Sequence, residues 1–201
     1  GANKDATNAE GQTALMLCFA GERANLEVTN LLLDAGANTE AAESQSGRTA
    51  LHFAILNDRL TTVDLLLSLG ADPTIADGSG RRACHMCVVP KRHQILDRIL
   101  ATAAARGEVD VVLGARDALA RCPHHLAASK GDKAAVATIF DAKPDLLNMG
   151  DCTGRTALWL ACARACASAA LSSRLGASAV FLPKPSRKSS SAVRSGRPVR
   201  S

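Results

Sequence analysis

The sequence predicts an all-α solenoid built from about five stacked helix-turn-helix repeats. One phrase recurs along the chain: GQTALMLC from Gly11, GRTALHFA from Gly47, GRRACHMC from Gly80, ARCPHHLA from Ala120 and GRTALWLA from Gly154. Successive copies start 36, 33, 40 and 34 residues apart, a period typical of solenoid proteins. A second phrase follows it, LLLDAGAN from Leu31 and LLLSLGAD from Leu65. Two short helices cannot bury their apolar faces alone, whereas stacked neighbours can.

The second copy shows most clearly why each unit folds as two helices. Thr49 can cap the first helix through its hydroxyl, which contributes about 1 kcal/mol, and His52 is placed to reach back to it. Apolar residues then follow the i, i+3, i+4 spacing of a buried helix face, first as Leu51, Ala54 and Ile55 and again as Val63, Leu66 and Leu67. Gly70 can adopt the left-handed conformation that ends a helix.

These phrases resemble the ankyrin repeat, whose pattern is close to D-x-x-G-x-T-P-L-H-x-A-A, a short turn, then V-x-x-L-L-x-x-G-A. The resemblance covers roughly residues 1–177, with a partial repeat at 1–7 and repeats starting near residues 8, 44, 77, 117 and 151. It implies helix pairs joined by hairpin turns, with a concave face on which the family binds other proteins. Because GAN at the start matches the end of such a repeat, we expect the chain to be a fragment of a longer array.

Some repeats depart from the pattern. The first has Met16 in the place of the histidine. In the third, Arg82 replaces the capping threonine and Pro90 shortens the first helix, so we expect this repeat to be the weakest. About seven extra residues follow it around ARGEVDVVLG, where a degenerate half-repeat is one interpretation. The fifth repeat weakens towards its end, where LSSRLGAS from Leu171 is either a polar terminal cap or a loss of the pattern.

Charge divides the chain into two parts. The net charge is +5, but the first 151 residues have 15 basic and 19 acidic side chains, or −4, while the last fifty have nine basic and none acidic. Residues 178–201 are rich in Ser, Pro and Arg, so we expect a disordered tail. Three interpretations of it stay open: a nuclear-import signal, a weak nucleic-acid arm and a solvated end. An aromatic content of 2% disfavours single-stranded nucleic acid binding by base stacking.

The cysteine pattern favours a reducing compartment. The seven cysteines are scattered, and a chain with 47% hydrophobic residues can fold without a disulfide framework. The sequence shows no signal-peptide pattern and no apolar run long enough to span a bilayer. We therefore expect an intracellular location, cytoplasmic or nuclear, and no membrane partner.

Cysteine and histidine residues raise the question of a metal site. Cys84 and Cys87 form a C-x-x-C pair, and Cys122, His124 and His125 follow one repeat later. Such residues can hold zinc, but we favour packing roles, since buried cysteine behaves as a small apolar residue. The same interpretation applies to Cys162 and Cys166. We therefore predict no metal and no cofactor.

The sequence also lacks the usual signatures of catalysis. It has no paired-carboxylate pocket, phosphate-binding glycine loop or nucleophile elbow. We predict a non-catalytic interaction module. A regulatory segment of a multidomain enzyme is the alternative.

The predicted binding residues are basic. The position before the capping threonine is Gln12 in the first repeat and arginine in the other four: Arg48, Arg81, Arg121 and Arg155. In the family this position lies on the hairpin turn, facing the concave side. Lys130 and Arg164 fall near the ends of first helices. We expect these six residues to form a basic stripe that binds an acidic segment of a protein partner, with ordinary solvated arginines as the alternative.

Overall fold

The computed structural model describes residues 3–20, 26–88 and 92–172, and at Ala20, Leu26 and 166–172 it describes the backbone alone. The helices in this part of the chain are α1 (Ala14–Ala20), α2 (Leu26–Asp34), α3 (Ala50–Leu56), α4 (Leu60–Ser68), α5 (Ala83–Cys87), α6 (His93–Arg106), α7 (Val109–Leu113), α8 (Pro123–Lys130), α9 (Lys133–Ala142) and α10 (Ala157–Ser172). A 3₁₀ helix, Pro144–Asn148, follows α9. The described residues form no regular strand, only a single bridge between Thr7 and Thr13.

The helices form two stacked layers, which confirms the predicted all-α solenoid. The first helices of successive repeats, α1, α3, α5, α8 and α10, pack on one another in chain order, and α4, α6 and α9 stack in the second layer. Each first helix also packs on the second helix of its own repeat in the first four repeats. The core lies between the layers and is aliphatic, with Leu51, Ile55, Leu66, Ile99 and Ile139 at 2% exposure or less.

Hairpin turns connect the repeats along one edge. In repeat three the Asp77 N–H donates to the Arg81 carbonyl at 2.8 Å, and Gly80 closes the turn with a left-handed φ of 72°. A hydrogen bond also joins neighbouring turns, since the Gly78 N–H donates to the Ser46 carbonyl at 2.7 Å. The turns therefore form a hydrogen-bonded edge that sets the spacing of the first helices.

A histidine secures the start of three first helices. Its Nδ1 accepts the backbone N–H three residues earlier at 3.1 Å, from Thr49 to His52, from Arg82 to His85, and from Cys122 to His125. With Nδ1 accepting, Nε2 carries the proton, and in His85 it donates to the Arg121 carbonyl of the next repeat at 3.0 Å. Repeat three therefore lacks the capping threonine, which Arg82 replaces, but keeps the histidine part of the cap.

Repeat three contains an additional helix. Its first helix, α5, has five residues, against seven in α3. Pro90, expected to shorten it, lies outside the described residues. The 14-residue α6 takes the place of the second helix and packs on α4 and α9. The extra residues form α7, which packs on α6 and buries Val112 and Leu113. The reduced stability of this repeat stays a prediction.

Repeat five differs from the helix-turn-helix unit that the repeat pattern predicts. In repeat four, Gly131 ends α8 with a left-handed φ of 71° and Asp132 precedes α9. The equivalent positions in repeat five are Ala165 and Cys166, and alanine favours helix over turn. As a result α10 continues for 16 residues without a turn. The predicted tail, 178–201, lies outside the described residues.

Candidate protein-binding face

Three of the four turn arginines are held by an aspartate of their own repeat. Arg81 donates its Nε and Nη2 to Asp77 Oδ2 at 3.0 and 2.8 Å. The same pairs form between Arg121 and Asp117 at 2.9 and 2.7 Å, and between Arg155 and Asp151 at 2.9 and 2.8 Å. The aspartate side chains are at most 2% exposed, whereas the arginine side chains are about one-third exposed. Each arginine is thus fixed in the turn while about one-third of its side chain stays accessible.

The local sequence explains these pairs. Asp77 Oδ1 accepts the backbone N–H groups of Ser79 and Arg81, both at 2.9 Å, which folds the turn around the carboxylate. Burial alone would raise the pKa of Asp77, but the hydrogen bonds from the Arg81 side chain and from the backbone lower it below its ordinary value. The aspartate is therefore ionised at neutral pH and balances the charge of the arginine. The Asp-x-x-x-Arg spacing is the sequence signal for this pairing.

In the first two repeats, the turn residues interact with a glutamate in place of the aspartate. In repeat one Gln12 replaces the arginine and donates to Glu43 of the next repeat at 2.9 Å. A hydrogen bond from the Ser46 hydroxyl lowers the pKa of Glu43, and burial opposes this shift. The nearby charge of Arg48 makes a smaller contribution in the same direction as the hydroxyl. The arginines thus occupy the turns where the repeat pattern places them, but acidic partners compensate their charge, so the turns do not form a stripe of uncompensated positive charge.

A smaller basic cluster lies beside the turns. Lys130, exposed at the end of α8, has a pKa lowered first by partial burial and then by the nearby charges of Arg92, Arg81 and Arg121. We call these four residues the Lys130 cluster. Arg92 donates to the Leu56 carbonyl at 2.7 Å and to the Met86 carbonyl at 3.2 Å, bridging two repeats. The repeat pattern did not single out Arg92, because it lies just before α6 and outside the two recurring phrases.

Arg164, the last predicted binding residue, extends this side of the array into repeat five. It is the counterpart of Lys130 in α10, and its Nη1 donates to the Ser129 carbonyl at 3.1 Å. It therefore lies across the end of α8 and holds α10 against it.

The structure brings together three of the residues weighed as metal ligands. Ligand atoms of Cys122, His124 and His125 lie within 4.8 Å of one another, and all three side chains are buried. Burial, helped by the charge of His125, lowers the pKa of His124 to about 3, so its ring is neutral. Cys84, in contrast, is a fully buried thiol whose pKa burial raises to about 12, as expected for a packing residue.

An apolar groove of about 490 Å³ lies between α9 and α10. Its apolar walls include Val136, Phe140, Leu147, Leu158 and Ala161. The groove is open because α10 continues straight where the other repeats turn back to place a second helix.

None of the described helices is both long and apolar enough to cross a bilayer.

Comparison with known proteins agrees with this geometry. A family model described as ankyrin repeats (3 copies) matches residues 1–77. Human BCL-6 corepressor-like protein 1 is 38% identical over 100 residues, which are 50% of this chain and 5% of that protein. The ankyrin repeat and LEM domain-containing protein 1 homolog of Caenorhabditis elegans is 36% identical over 72 residues, 36% of this chain and 10% of that protein. Mouse palmitoyltransferase ZDHHC13 is 32% identical over 85 residues, 42% of this chain and 14% of that protein.

The chain therefore spans only a small part of the length of the curated relatives it matches. Within that part, the matched residues, the recurring phrases and the stacked helix pairs all agree. Ankyrin repeats are a general protein-interaction module and are generally non-catalytic. Residues 1–77 match the ankyrin repeat family, and the described helices form an ankyrin-type solenoid.

Proposed function

We propose that the concave face of this array, made by the hairpin turns and the first helices, binds an acidic segment of a protein partner, with the Lys130 cluster at its centre. The observation that carries this proposal is the gathering of Lys130, Arg92, Arg81 and Arg121 from two repeats. The predicted residues Arg48, Arg155 and Arg164 extend the face on either side.

Lys130 supplies charge that the array itself does not balance. No carboxylate of the described residues lies within ion-pair distance of its amine, although Asp132 is near enough to act on its pKa. Arg92, for which the described residues offer no ion pair, raises the local positive potential further, whereas Asp77 and Asp117 balance much of the charge of Arg81 and Arg121. A carboxylate of the partner would lower this repulsion, so association should be fastest at low salt.

The paired arginines present N–H groups to the partner in a fixed orientation. Asp77 and Asp117 each use one oxygen to accept two N–H groups, and an arginine side chain has five. The remaining N–H groups are held in place by the pair, so little side-chain entropy is lost when a partner oxygen accepts them. Carboxylates and backbone carbonyls of an extended peptide are suitable acceptors.

Six described cysteines are free, which supports a reducing intracellular compartment as part of the proposal.

The test compares two lysines at nearby positions. Lys130→Glu reverses the charge of the cluster, whereas Lys133→Glu makes the same change at the start of α9, outside the cluster. Arg121 is left intact, because its removal would leave the buried Asp117 without its partner. Proteins retained from a cell lysate by each folded variant are quantified by mass spectrometry at two salt concentrations.

We expect a salt-sensitive partner that the wild type and Lys133→Glu retain and Lys130→Glu loses. If all three proteins retain the same partners to the same extent, binding does not take place at the Lys130 cluster. Equal thermal unfolding of the two variants checks that the loss comes from the surface and not from the fold.

A further inference from the structure

Repeat four carries two ligand-type residues at positions where other repeats have different chemistry. Cys122 stands where repeat two has the capping Thr49, and His124 stands where repeat two has the buried Leu51. A thiol is a weaker hydrogen-bonding group than a hydroxyl, and an imidazole is polar where leucine is apolar. Neither replacement improves the cap or the core, so capping and packing do not explain them.

His124 is the more unusual of the two. Its side chain is 0% exposed, because α10 packs over α8. Neither ring nitrogen makes a hydrogen bond of ordinary geometry, although the Met149 carbonyl is near enough to act on the pKa of the ring. Its ring lies 4.0 Å from His125 and 5.9 Å from Phe140, between centroids. Leaving a buried polar group unpaired is unfavourable, because the group loses its hydrogen bonds to water without replacement. A ligand on one of these nitrogens would offset that cost.

We propose that Cys122 Sγ and a ring nitrogen of His124 bind a single soft monovalent cation, Cu(I). Cys122 Sγ and a ring nitrogen of His124 lie within 4.8 Å of each other. Soft metal ions prefer thiolate and imidazole ligands. Small shifts of the two side chains would bring both atoms to bonding distance.

The surroundings favour a monovalent ion over a divalent one. Cu(I) with one thiolate is neutral, whereas Zn²⁺ with one thiolate would leave a net positive charge in a buried site. Arg116, close enough to act on all three side chains, adds to that cost. Zn²⁺ also takes four ligands in closed sites, more than this group offers.

His125 holds Cys122 in position and is not itself a ligand of the metal. Its Nδ1 accepts the Cys122 N–H at 3.1 Å and its Nε2 donates to the Met149 carbonyl at 2.9 Å, so both nitrogens are in use. These bonds fix the backbone of Cys122 beside His124. A third bond to the metal, from His125, would require breaking either the helix cap or the bond to the Met149 carbonyl.

Binding is a simple exchange without electron transfer. The Cys122 S–H, which now points to the Gly114 carbonyl with Sγ 3.7 Å from the oxygen, releases its proton to solvent. A sulfur–copper bond replaces the S–H bond, and the lone pair of one His124 nitrogen forms the second bond. Copper enters and stays as Cu(I).

The experiment uses the full chain under anaerobic conditions, with Cu(I) supplied as its coloured bicinchoninate complex. Two variants restore the residues of repeat two, His124→Leu and Cys122→Thr, and both should fold. Cys152→Ser removes an exposed thiol and serves as the control for thiol number. We expect the wild type and Cys152→Ser to withdraw one equivalent of Cu(I) more than either repeat-four variant.

Equal withdrawal by the wild type and His124→Leu would overturn the proposal and assign the copper to other thiols. A wild type that binds Zn²⁺ but does not compete for Cu(I) would overturn it too, because the charge argument would then be wrong. Without metal, His124→Leu should melt at a higher temperature than the wild type, which checks that its loss of copper does not come from misfolding.

Discussion

At the scale of the residue, Ala120 shows how one substitution strains an otherwise regular turn. It has a left-handed φ of 53° at the place where the other turns have glycine with φ between 64° and 77°: Gly11, Gly47, Gly80 and Gly154. A side chain makes this conformation unfavourable by about 1–2 kcal/mol, because Cβ approaches the following carbonyl oxygen. The surrounding turn nevertheless keeps the conformation, since Asp117 and Arg121 are paired as in repeats three and five.

Ala120→Gly should therefore stabilise the array by about 0.5–1 kcal/mol, once the greater freedom of glycine in the unfolded chain is subtracted. Urea unfolding measures the change. The matched control is Gly80→Ala, whose added Cβ would lie 3.1 Å from the Ala118 nitrogen at a φ of 72°, so we expect it to destabilise. A stability of Ala120→Gly at or below that of the wild type would contradict the strain.

The capping histidines give the array a pH dependence with a defined sign. Burial lowers the pKa of His52 and of His85 below the ordinary value of 6.5. Asp77 and Asp117 oppose this shift, while the nearby arginines 48, 81 and 82 add to it. The unfolded chain therefore binds protons first. Stability is complete above about pH 6.5 and falls as the pH drops below it, by at most about 1.4 kcal/mol per pH unit for each histidine.

Urea unfolding at about pH 7.5 and about pH 5.5 should show this loss in the wild type. The variant His52→Gln/His85→Gln keeps an acceptor at each cap but has no titrating ring, so it should lose less stability over the same interval. An unchanged wild-type stability between the two pH values would show that the rings are not held neutral by the fold.

At the scale of the element, α10 shows how a missing turn changes a repeat. The other first helices have five to eight residues, whereas α10 has 16. Leu158 of α10 is 68% exposed, whereas its equivalent in repeat two, Leu51, is 2% exposed. The difference follows from stacking, because Leu51 is covered by α5 of the next repeat and no described helix follows α10.

Giving repeat five the turn residues of repeat four tests whether the missing turn signal lengthens α10. Ala165→Gly/Cys166→Asp gives repeat five the Gly-Asp pair that ends α8, and we expect the helix to stop near residue 164. Backbone chemical shifts of residues 165–172 measure the change directly. If these shifts stay helical in the double variant, the continuity of α10 does not come from the absence of a turn signal.

At the scale of the whole molecule, side chains that cross between repeats hold the array together as one unit. Asn57 donates to the Phe19 carbonyl at 2.6 Å, Arg92 to the Leu56 carbonyl at 2.7 Å, and Arg164 to the Ser129 carbonyl at 3.1 Å. Each of them satisfies a carbonyl at the end of the preceding first helix, where the helix leaves its own carbonyls unpaired. In a linear array, such contacts set the coupling between neighbouring repeats.

Arg92→Leu should lower the stability by about 1–2 kcal/mol and broaden the urea transition, because repeats two and three would unfold less cooperatively. Arg98→Leu is the matched control, since the Arg98 side chain is 61% exposed and, among the described residues, forms an ion pair with the partly exposed Asp64 alone, at 3.4 Å. We expect little effect from it. Equal effects of the two substitutions would show that Arg92 does not couple the repeats.

Local spacing explains what the sequence could predict. Helix starts, turns and the reach of His52 to Thr49 involve residues three or four apart, so the repeat pattern predicted them correctly. The Asp-x-x-x-Arg pairs have the same short spacing, and the sequence contained their signal although the arginines alone were singled out. The overrun of α10 was also encoded locally, in Ala165 and its neighbours, but the echo of the earlier repeats concealed it.

The sequence by itself therefore determined the helix pairs of the first four repeats, the positions of the hairpin turns and the likeness to ankyrin repeats. Only the tertiary structure decided which charges are balanced, which cations meet around Lys130 and which ring is sealed from water at His124. These properties depend on burial by neighbours about one repeat away. A residue buries its polar atoms or exposes them according to the helix stacked upon it, and no pattern within a single repeat contains that helix.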